Sequence, residues 1–266
     1  MRREPGLPER LIRRFHRFLL LTLLFSLPPL VGAETLRFAA DPSCPYVCPD
    51  AKEPDQLAAD PGIIYEILKL ILEPEGYELA IEFIPYRRSL KSTKLGEYDA
   101  LMVTLRDDAP SLYYHQTPIA MARGCFVTQR SNPWQYRGVE SLKQVRFGGT
   151  LGYKYGPLKE FIETKNTSTL MMAGEDTFDR ILHMIELDRL DTTIEDINVI
   201  HYKLQQLGMD KKLRLAGCLP PKVPLYVGIS PSYSDRNKLS ALIDEGIRRL
   251  TEQGELDTIA KKYGIK

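Results

Sequence analysis

The sequence has little that would tie it to a membrane, to nucleic acid or to a repeat architecture. After residue 33 no apolar run reaches the roughly 20 residues that a transmembrane helix needs. No block of like charge, internal repeat or low-complexity tract is present, so neither disorder nor a solenoid is predicted. Without residues 1–33, the 36 Lys and Arg fall by six and the 35 Asp and Glu by two. The resulting net charge near −3 argues against nucleic acid and anionic membranes as partners.

The sequence also lacks the motifs of several enzyme classes. It has no nucleophile elbow, no His-Glu-x-x-His zinc helix, no phosphate-binding loop and no dinucleotide fingerprint. The Gly-rich stretch GGTLGYKYG at 148–156 has the wrong spacing for any of them. We therefore predict no catalytic residue and no cofactor, and a binding function ahead of an enzymatic one.

Cysteine is scarce, but the four cysteines present form an even set that is compatible with disulfides in an exported chain. Cys44 and Cys48 lie close together in the Pro-rich segment DPSCPYVCPD, where they could close a small ring. Cys125 and Cys218 would then form the second pair; the alternative is four buried thiols. Because Cys44 and Cys48 have no matching Cys/His pair downstream, no metal site is predicted.

The first 33 residues predict an export signal. Six arginines precede the apolar stretch FLLLTLLFSL at 18–27, and the segment ends in Val31-Gly32-Ala33, which a signal peptidase accepts. We expect cleavage after Ala33, a periplasmic location and no stable membrane insertion. No cysteine sits at the cut site, which argues against a lipid anchor.

The order of elements in the first part of the mature chain predicts a parallel sheet. Segments 35–41, 79–85 and 98–104 are predicted strands, and amphipathic helices separate them. A β-α-β-α-β order places helices on both faces of a parallel sheet, and ligands bind beyond the carboxyl ends of its strands. Those ends are Asp41, Tyr86 and Thr104.

A second α/β unit follows, and it predicts a two-lobed molecule. Lobe 1 is expected from 34–121 and 228–266, and lobe 2 from 122–227. Extended crossings near 118–126 and 218–229 would join the lobes as a hinge. The cleft between the lobes is a natural ligand site, and we expect a monomer.

Several segments, in this order and spacing, resemble the family-3 periplasmic solute-binding proteins, which serve polar amino acid ABC transporters. The segments are PY at 45–46, Gly62, LGEYDALMV at 95–103, SLKQVRFGGTLGYKYG at 141–156, LDRLDTTIED at 187–196 and EGIRRLTEQGELDTIAKKYGI at 245–265. The resemblance implies the type II periplasmic binding protein fold, with two Rossmann-like α/β lobes and a two-strand hinge. It also implies closure on a small polar ligand, such as an amino acid, and delivery to a membrane permease.

The resemblance assigns opposite charges to the two ends of a zwitterionic ligand. Asp196 lies at the end of the strand LDTTI, where family members place the aspartate that pairs with a ligand ammonium. It is also a candidate N-cap of the next helix, and the two roles are compatible. Arg106 follows Thr104, where the family uses an arginine to clamp a carboxylate. The Thr-x-x-Arg spacing of the family is absent here, and Arg88 is a second candidate for the clamp.

The remaining candidate ligand contacts lie at strand ends and in the first loop. The resemblance makes Tyr86 the aromatic ring that stacks on the ligand and Tyr46 part of the cleft wall. Thr104 would offer its hydroxyl and backbone to the ligand ammonium. Asp41, at the end of the first strand, completes this edge.

A Gly-rich segment in lobe 2 supplies the last candidates. Gly152, Tyr153 and Lys154 are predicted to open a helix, where backbone N–H groups would bind a ligand carboxylate. Tyr153 and Lys154 are larger than the Ser or Thr common in the family, and Lys154 would favour an additional acidic group on the ligand.

Two alternative functions keep the same fold. The first is an enzyme similar to periplasmic cyclohexadienyl dehydratases, which would need a general acid such as Asp41 or Lys154. The second is ligand sensing for a separate membrane signalling protein.

Overall fold

The computed structural model describes residues 32–164, 168–174 and 176–265, and it confirms an α/β fold built on two sheets. Residues 1–31 of the predicted export signal lie outside the described residues, so the cleavage after Ala33 stays a prediction. No helix within the described ranges is long and apolar enough to cross a membrane.

The strands of the first sheet come from both ends of the chain. They are β1 (Glu34–Ala40), β2 (Tyr77–Phe83), β3 (Ala100–Thr104), β4 (Tyr113–Tyr114), β5 (Ala120–Ala122) and β11 (Val223–Ile229). The strands of the second sheet come from the middle of the chain. They are β6 (Gly124–Gln129), β7 (Phe147–Thr150), β8 (Thr169–Met172), β9 (Thr192–Asp196) and β10 (Leu213–Cys218). We call the parts built on these two sheets lobe 1 and lobe 2.

The helices alternate with the strands, as the hydrophobic periodicity predicts. They are α1 (Ile63–Leu72), α2 (Tyr86–Leu95), α3 (Lys159–Glu163), α4 (Thr177–Glu186), α5 (Ile197–Gln206), α6 (Arg236–Glu252) and α7 (Glu255–Lys262). Short 3-10 turns cover Glu73–Glu75, Val139–Gln144 and Gly156–Leu158. Helix α2 ends before Gly96, whose left-handed backbone (φ 82°) accommodates the helix stop.

Parallel pairing directs the carboxyl ends of three strands in each lobe toward one edge. The first sheet has the order β2-β1-β3-β11-β4, with β1 parallel to both β2 and β3. The second has the order β10-β6-β9-β7-β8, with β7 parallel to both β8 and β9. Candidate site residues that follow β1, β2, β3, β7 and β9 are therefore brought to the ends of the two sheets.

The chain crosses between the sheets twice. It leaves the first sheet after Ala122 and enters the second at Gly124, and it returns between Cys218 and Val223. The predicted boundary at residue 228 is too late, because β11 pairs with β5 from Val223 onward, in the register Val223↔Ala122. The backbone ladder thus assigns the first half of β11 to lobe 1.

Apolar side chains cover both faces of each sheet. The predicted inner face of α1, which includes Ile64, Leu68 and Ile71, is buried in the large core of lobe 1 together with α6 and α7. In lobe 2 the face of α4 that carries Ile181 and Ile185 packs with α5 on one side of the sheet. A second cluster, which includes Phe147, fills the other side.

Both predicted disulfides are present, Cys44–Cys48 and Cys125–Cys218. The Cys44–Cys48 ring also supplies acceptors for the first turn of α1, since the Tyr46 carbonyl accepts from Ile64 N at 3.0 Å. Gly62 precedes this helix with φ 103°, and a Cβ there would lie 2.4 Å from the Tyr46 carbonyl oxygen. The small ring is thus held against the amino end of α1 and fixes the position of Tyr46.

The two disulfides are expected to differ in their contribution to stability. In the chain-entropy model, closure of a 93-residue separation stabilises by about 4.6 kcal/mol and closure of a 4-residue separation by about 2 kcal/mol. Urea unfolding should therefore show a larger loss for Cys125→Ser/Cys218→Ser than for Cys44→Ser/Cys48→Ser. Equal losses would contradict an entropic origin.

Candidate functional site

The ends of the three parallel strands of lobe 1 lie in direct contact. The backbone N–H of Tyr86 donates to Asp41 Oδ1 at 3.1 Å, and the Tyr86 and Thr104 hydroxyls share a hydrogen bond of 2.7 Å. Tyr86 also donates to Asp108 Oδ2 at 3.1 Å. The edge that the strand order predicts is therefore a connected polar network, with Tyr86 at its centre.

Tyr46 reaches from lobe 1 to lobe 2. Its hydroxyl donates to Asp196 Oδ1 at 2.9 Å and accepts from Asn198 Nδ2 at the same distance. Because the disulfide ring and the amino end of α1 fix the backbone of Tyr46, this contact joins two well-packed elements.

Asp196 is the N-cap of α5, as one of the two predicted roles requires. Its Oδ1 accepts from Asn198 N at 2.9 Å, and its Oδ2 accepts from Arg123 N at 2.7 Å. Arg123 lies in the first crossing between the lobes, so Asp196 links the helix, the crossing and Tyr46. Both carboxylate oxygens are already engaged, and its contact with a ligand stays a prediction.

The segment 151–155 differs from the prediction that it opens a helix. Gly152 has φ 97°, and helical turns begin only at Gly156, so these residues form an irregular turn without the predicted row of helical N–H groups. The turn directs its side chains toward lobe 1. Tyr153 donates to Asp41 Oδ2 at 3.1 Å, and the Tyr86 and Tyr153 rings meet edge to face at 6.0 Å.

Lys154 binds the backbone of lobe 1. Its Nζ donates to the carbonyl oxygens of Asp107 at 3.2 Å and Asp108 at 2.8 Å. Its ammonium is thus used at the rim of the cleft, and the prediction that it selects an acidic ligand group stays untested.

Arg106 is held away from the acidic side chains of the cleft. Its guanidinium carbon lies 4.0 Å from the centre of the Tyr226 ring, and one of its terminal nitrogens donates to the His115 carbonyl. Arg88, the competing candidate, is exposed in the first turn of α2. Neither arginine is a demonstrated carboxylate clamp, and that role stays a prediction for both.

Glu195 is a site residue that sequence reasoning missed. It precedes Asp196 at the carboxyl end of β9, is largely buried, and accepts one hydrogen bond, from Asp196 N at 2.8 Å. The signal was the pair of acidic residues that ends the buried strand TTIED, of which only the second was selected. Successive side chains of a strand point to opposite faces, so each of the two acidic residues at the end of this strand was a candidate for the site.

The cleft contains carboxyl groups with perturbed acidity. Burial raises the pKa of Asp41 to about 6, against the hydrogen bonds from Tyr153 and Tyr86. Burial, with the nearby charges of Asp196 and Asp41, raises the pKa of Glu195 to about 7. Within the described ranges, no lysine, arginine or histidine offsets either shift. Nor does any group of three or more His, Cys, Asp or Glu there form a potential metal site.

The comparisons with known proteins give the fold. An ancestral arginine-binding protein bound to arginine aligns with a TM-score of 0.70 and 15% identity, over 86% of this chain and 98% of that one. An amino acid ABC transporter substrate-binding protein from Streptococcus pneumoniae, bound to L-arginine, has a TM-score of 0.66 and 18% identity, over 86% and 94%. A histidine kinase sensor domain with similarity to periplasmic binding proteins has a TM-score of 0.68 and 15% identity, over 87% and 96%.

These likenesses show that the chain has the fold of the type II periplasmic binding proteins, as the resemblance implies. No protein-family model matches the sequence, and no curated protein sequence matches it. At this level of identity the shared architecture carries no ligand assignment, which has to come from the site itself.

The raised pKa of Glu195 predicts a specific loss of stability with pH. A carboxyl whose pKa rises from 4.5 to about 7 on folding stabilises the protein fully only below about pH 4.5, and that stability is lost as the pH rises through about 7. Glu195→Gln should therefore become more stable relative to the parent protein by about 2 kcal/mol between pH 5 and pH 8. Urea unfolding across this range measures the difference.

The exposed Glu160 in α3 provides the matched control. Glu160→Gln should follow the pH dependence of the parent protein. If Glu195→Gln also follows it, Glu195 is not the buried carboxyl that the site requires.

The capping role of Asp196 predicts different costs for two substitutions. Asp196→Ala removes the acceptor for the first turn of α5 and should lower the free energy of unfolding by about 1 to 2 kcal/mol. Asp196→Asn retains an acceptor oxygen and should cost less, since Asn is also a favoured N-cap. Equal losses in chemical denaturation would show that charge rather than capping determines the stability.

Proposed function

We propose that this protein captures a small polar solute, an amino acid or a related compound, between its two lobes. The observation that carries the proposal is the set of side-chain contacts across the cleft, at the carboxyl ends of parallel strands. Tyr153 of lobe 2 bonds Asp41 of lobe 1, and Tyr46 of lobe 1 bonds Asp196 of lobe 2. A solute that enters between these groups would contact both lobes at once, which couples binding to closure.

The structural neighbours support a small polar ligand. Two of them are bound to arginine, and their fold is shared by this chain over most of its length. In this proposal Asp41, Tyr86, Thr104 and Tyr153 contact the solute, and Asp196 and Tyr46 close one side of the cleft.

The proposal places the mature protein in the periplasm after removal of residues 1–33, where it delivers its solute to the permease of an ABC transporter. The basic and apolar leader supports the location. The solute-binding neighbour from an amino acid ABC transporter supports the delivery step. The alternative is that the bound protein signals the presence of the solute to a membrane signalling protein, and the sensor-domain neighbour supports this role.

An enzyme of the dehydratase type is a second candidate function, and the state of Asp41 favours it. With a pKa raised to about 6, Asp41 is protonated in about half of the molecules at pH 6 and about a tenth at pH 7, and it accepts a hydrogen bond from the Tyr153 hydroxyl. A general acid near a departing hydroxyl group needs such a residue. Incubation with prephenate or arogenate, followed by detection of the aromatic product, tests this candidate directly.

Solute capture predicts ligand-dependent stabilisation and compaction. A solute at 100 times its Kd should raise the free energy of unfolding by about 2.7 kcal/mol. A thermal-shift panel of amino acids, polyamines and small carboxylates identifies the solute, and small-angle X-ray scattering then measures the radius of gyration with and without it. No shift and no scattering change with any compound would refute the proposal.

Tyr153→Phe tests whether the interlobe contacts control closure. Loss of the hydroxyl removes the bond to Asp41, so the free protein should be more extended than the parent protein, with a larger response to the solute. Tyr136→Phe is the control, because the Tyr136 ring stacks on Phe126 inside lobe 2 at 4.2 Å. An unchanged radius of gyration for Tyr153→Phe would exclude control by this contact.

A further inference from the structure

The acidic side chains at the end of β9 differ in the number of hydrogen bonds that they accept. Asp196 has four hydrogen-bond donors on its two oxygens, from Tyr46, Arg123, Asn198 and Val199. Glu195, next to it, has a single hydrogen bond in the described chain. A carboxylate that has lost its water and has few donors favours a positive partner far more than one that is already saturated.

Two of the basic side chains near the contact between the lobes, Lys154 and Arg106, have partners of their own. Lys154 donates to two carbonyl groups at the rim. Arg106 stacks on Tyr226 and donates to the His115 carbonyl. Within the described chain no lysine, arginine or histidine contributes to the pKa shift of Asp41 or Glu195, so neither carboxyl group has a positive partner.

Three tyrosine rings lie near the carboxyl groups of Asp41 and Glu195. Tyr86 and Tyr153 meet edge to face at 6.0 Å, and Tyr155 lies 6.4 Å from Tyr153. Tyr153 also bonds Asp41, which places an aromatic ring against the carboxylate of the opposite lobe. Aromatic faces attract ammonium and guanidinium groups, and more strongly where water is excluded.

We propose that the solute carries a net positive charge, and that Asp41 of lobe 1 and Glu195 of lobe 2 receive its cationic nitrogen. The inference rests on the proposed solute capture and names the class of solute: an amine or guanidine, with or without a carboxylate. On binding, the Tyr153 hydroxyl leaves Asp41, and the cation takes its place between the two lobes. The attraction of one cation to a carboxylate on each side then favours the closed state.

Cation binding at Glu195 is also linked to a proton. The titratable groups that interact electrostatically with Glu195 are the carboxylates of Asp41 and Asp196 and the hydroxyls of Tyr46, Tyr153 and Tyr155. The tyrosines stay protonated because burial raises the pKa of each, so the proton belongs to the carboxyl groups. A cation favours the ionised carboxylate, so binding near pH 6 releases a proton and affinity rises toward pH 8.

Isothermal titration calorimetry with four probes tests the proposal. Agmatine and L-arginine share a guanidinium, but agmatine lacks the carboxylate; L-glutamine is a zwitterion and L-glutamate an anion. We expect agmatine to bind at least as tightly as L-arginine, and both at least tenfold more tightly than L-glutamine or L-glutamate.

Glu195→Gln and Asp41→Asn should each weaken agmatine binding at least tenfold, whereas the exposed Glu160→Gln should leave it unchanged. Titrations at pH 6 in buffers of different ionisation enthalpy should show proton release in the parent protein and less in Glu195→Gln. Retained far-UV circular dichroism separates these effects from unfolding.

Two outcomes overturn the inference, and they differ in what they leave standing. Preferred binding of L-glutamine or L-glutamate, or cation binding unaffected by Glu195→Gln and Asp41→Asn, refutes cation selection and leaves solute capture intact. An absence of binding by all four probes and by the wider thermal-shift panel refutes solute capture, and the inference falls with it.

Discussion

The carboxylate of Asp196 is the junction on which the geometry of the cleft depends. It terminates β9, caps α5, accepts from the backbone of Arg123 in the first crossing and accepts from Tyr46 of the opposite lobe. One half-buried carboxylate thus contacts a strand, a helix, a crossing and the opposite lobe. Charge-assisted hydrogen bonds to backbone N–H groups are strong, so these four elements are positioned relative to one another by a single anion.

The hydrogen bonds that Asp196 accepts distinguish it from the neighbouring acidic residue, Glu195. An aspartate with four donors is well compensated, and a ligand gains little by adding a fifth partner. Glu195, one residue earlier, accepts a single hydrogen bond, and Asp41 of the opposite lobe accepts two; burial raises the pKa of both carboxyl groups. Burial of two carboxyl groups without a positive partner costs free energy, which a bound cation would offset. In the proposed capture of a cationic solute, relief of that cost on binding would be the source of selectivity.

Local sequence pattern predicts which residues lie at the edges of the sheets. It does not predict local conformations that depend on contacts with residues distant in sequence. The β-α order was sufficient to bring Asp41, Tyr86 and Thr104 together, because neighbouring parallel strands have their carboxyl ends on one edge of the sheet. The segment 151–155 was predicted to begin a helix, but it forms a turn in which Gly152 has a left-handed backbone. The side chain of Tyr153 contacts Asp41, a residue more than 100 positions away that local pattern does not reveal.

The orientation of the Arg106 side chain is another feature that sequence spacing does not predict. Its orientation depends on the rings of Tyr114 and Tyr226, and Tyr226 is far away in sequence and reaches it only through the antiparallel pairing of β11 with β3. Glu195 was hidden for a simpler reason. Two acidic residues in succession point to different sides of a strand, and sequence alone does not say which side meets the cleft.

The disulfide between Cys125 and Cys218 has a mechanical consequence. These cysteines are opposite each other at the lobe 2 ends of the two crossings, one just after the chain enters β6 and the other at the end of β10. A covalent tie at that point prevents one crossing from sliding along the other. If the two lobes move relative to each other, we expect the bending at Arg123 and at residues 219–222, the short segments that lie between the strands of the two sheets.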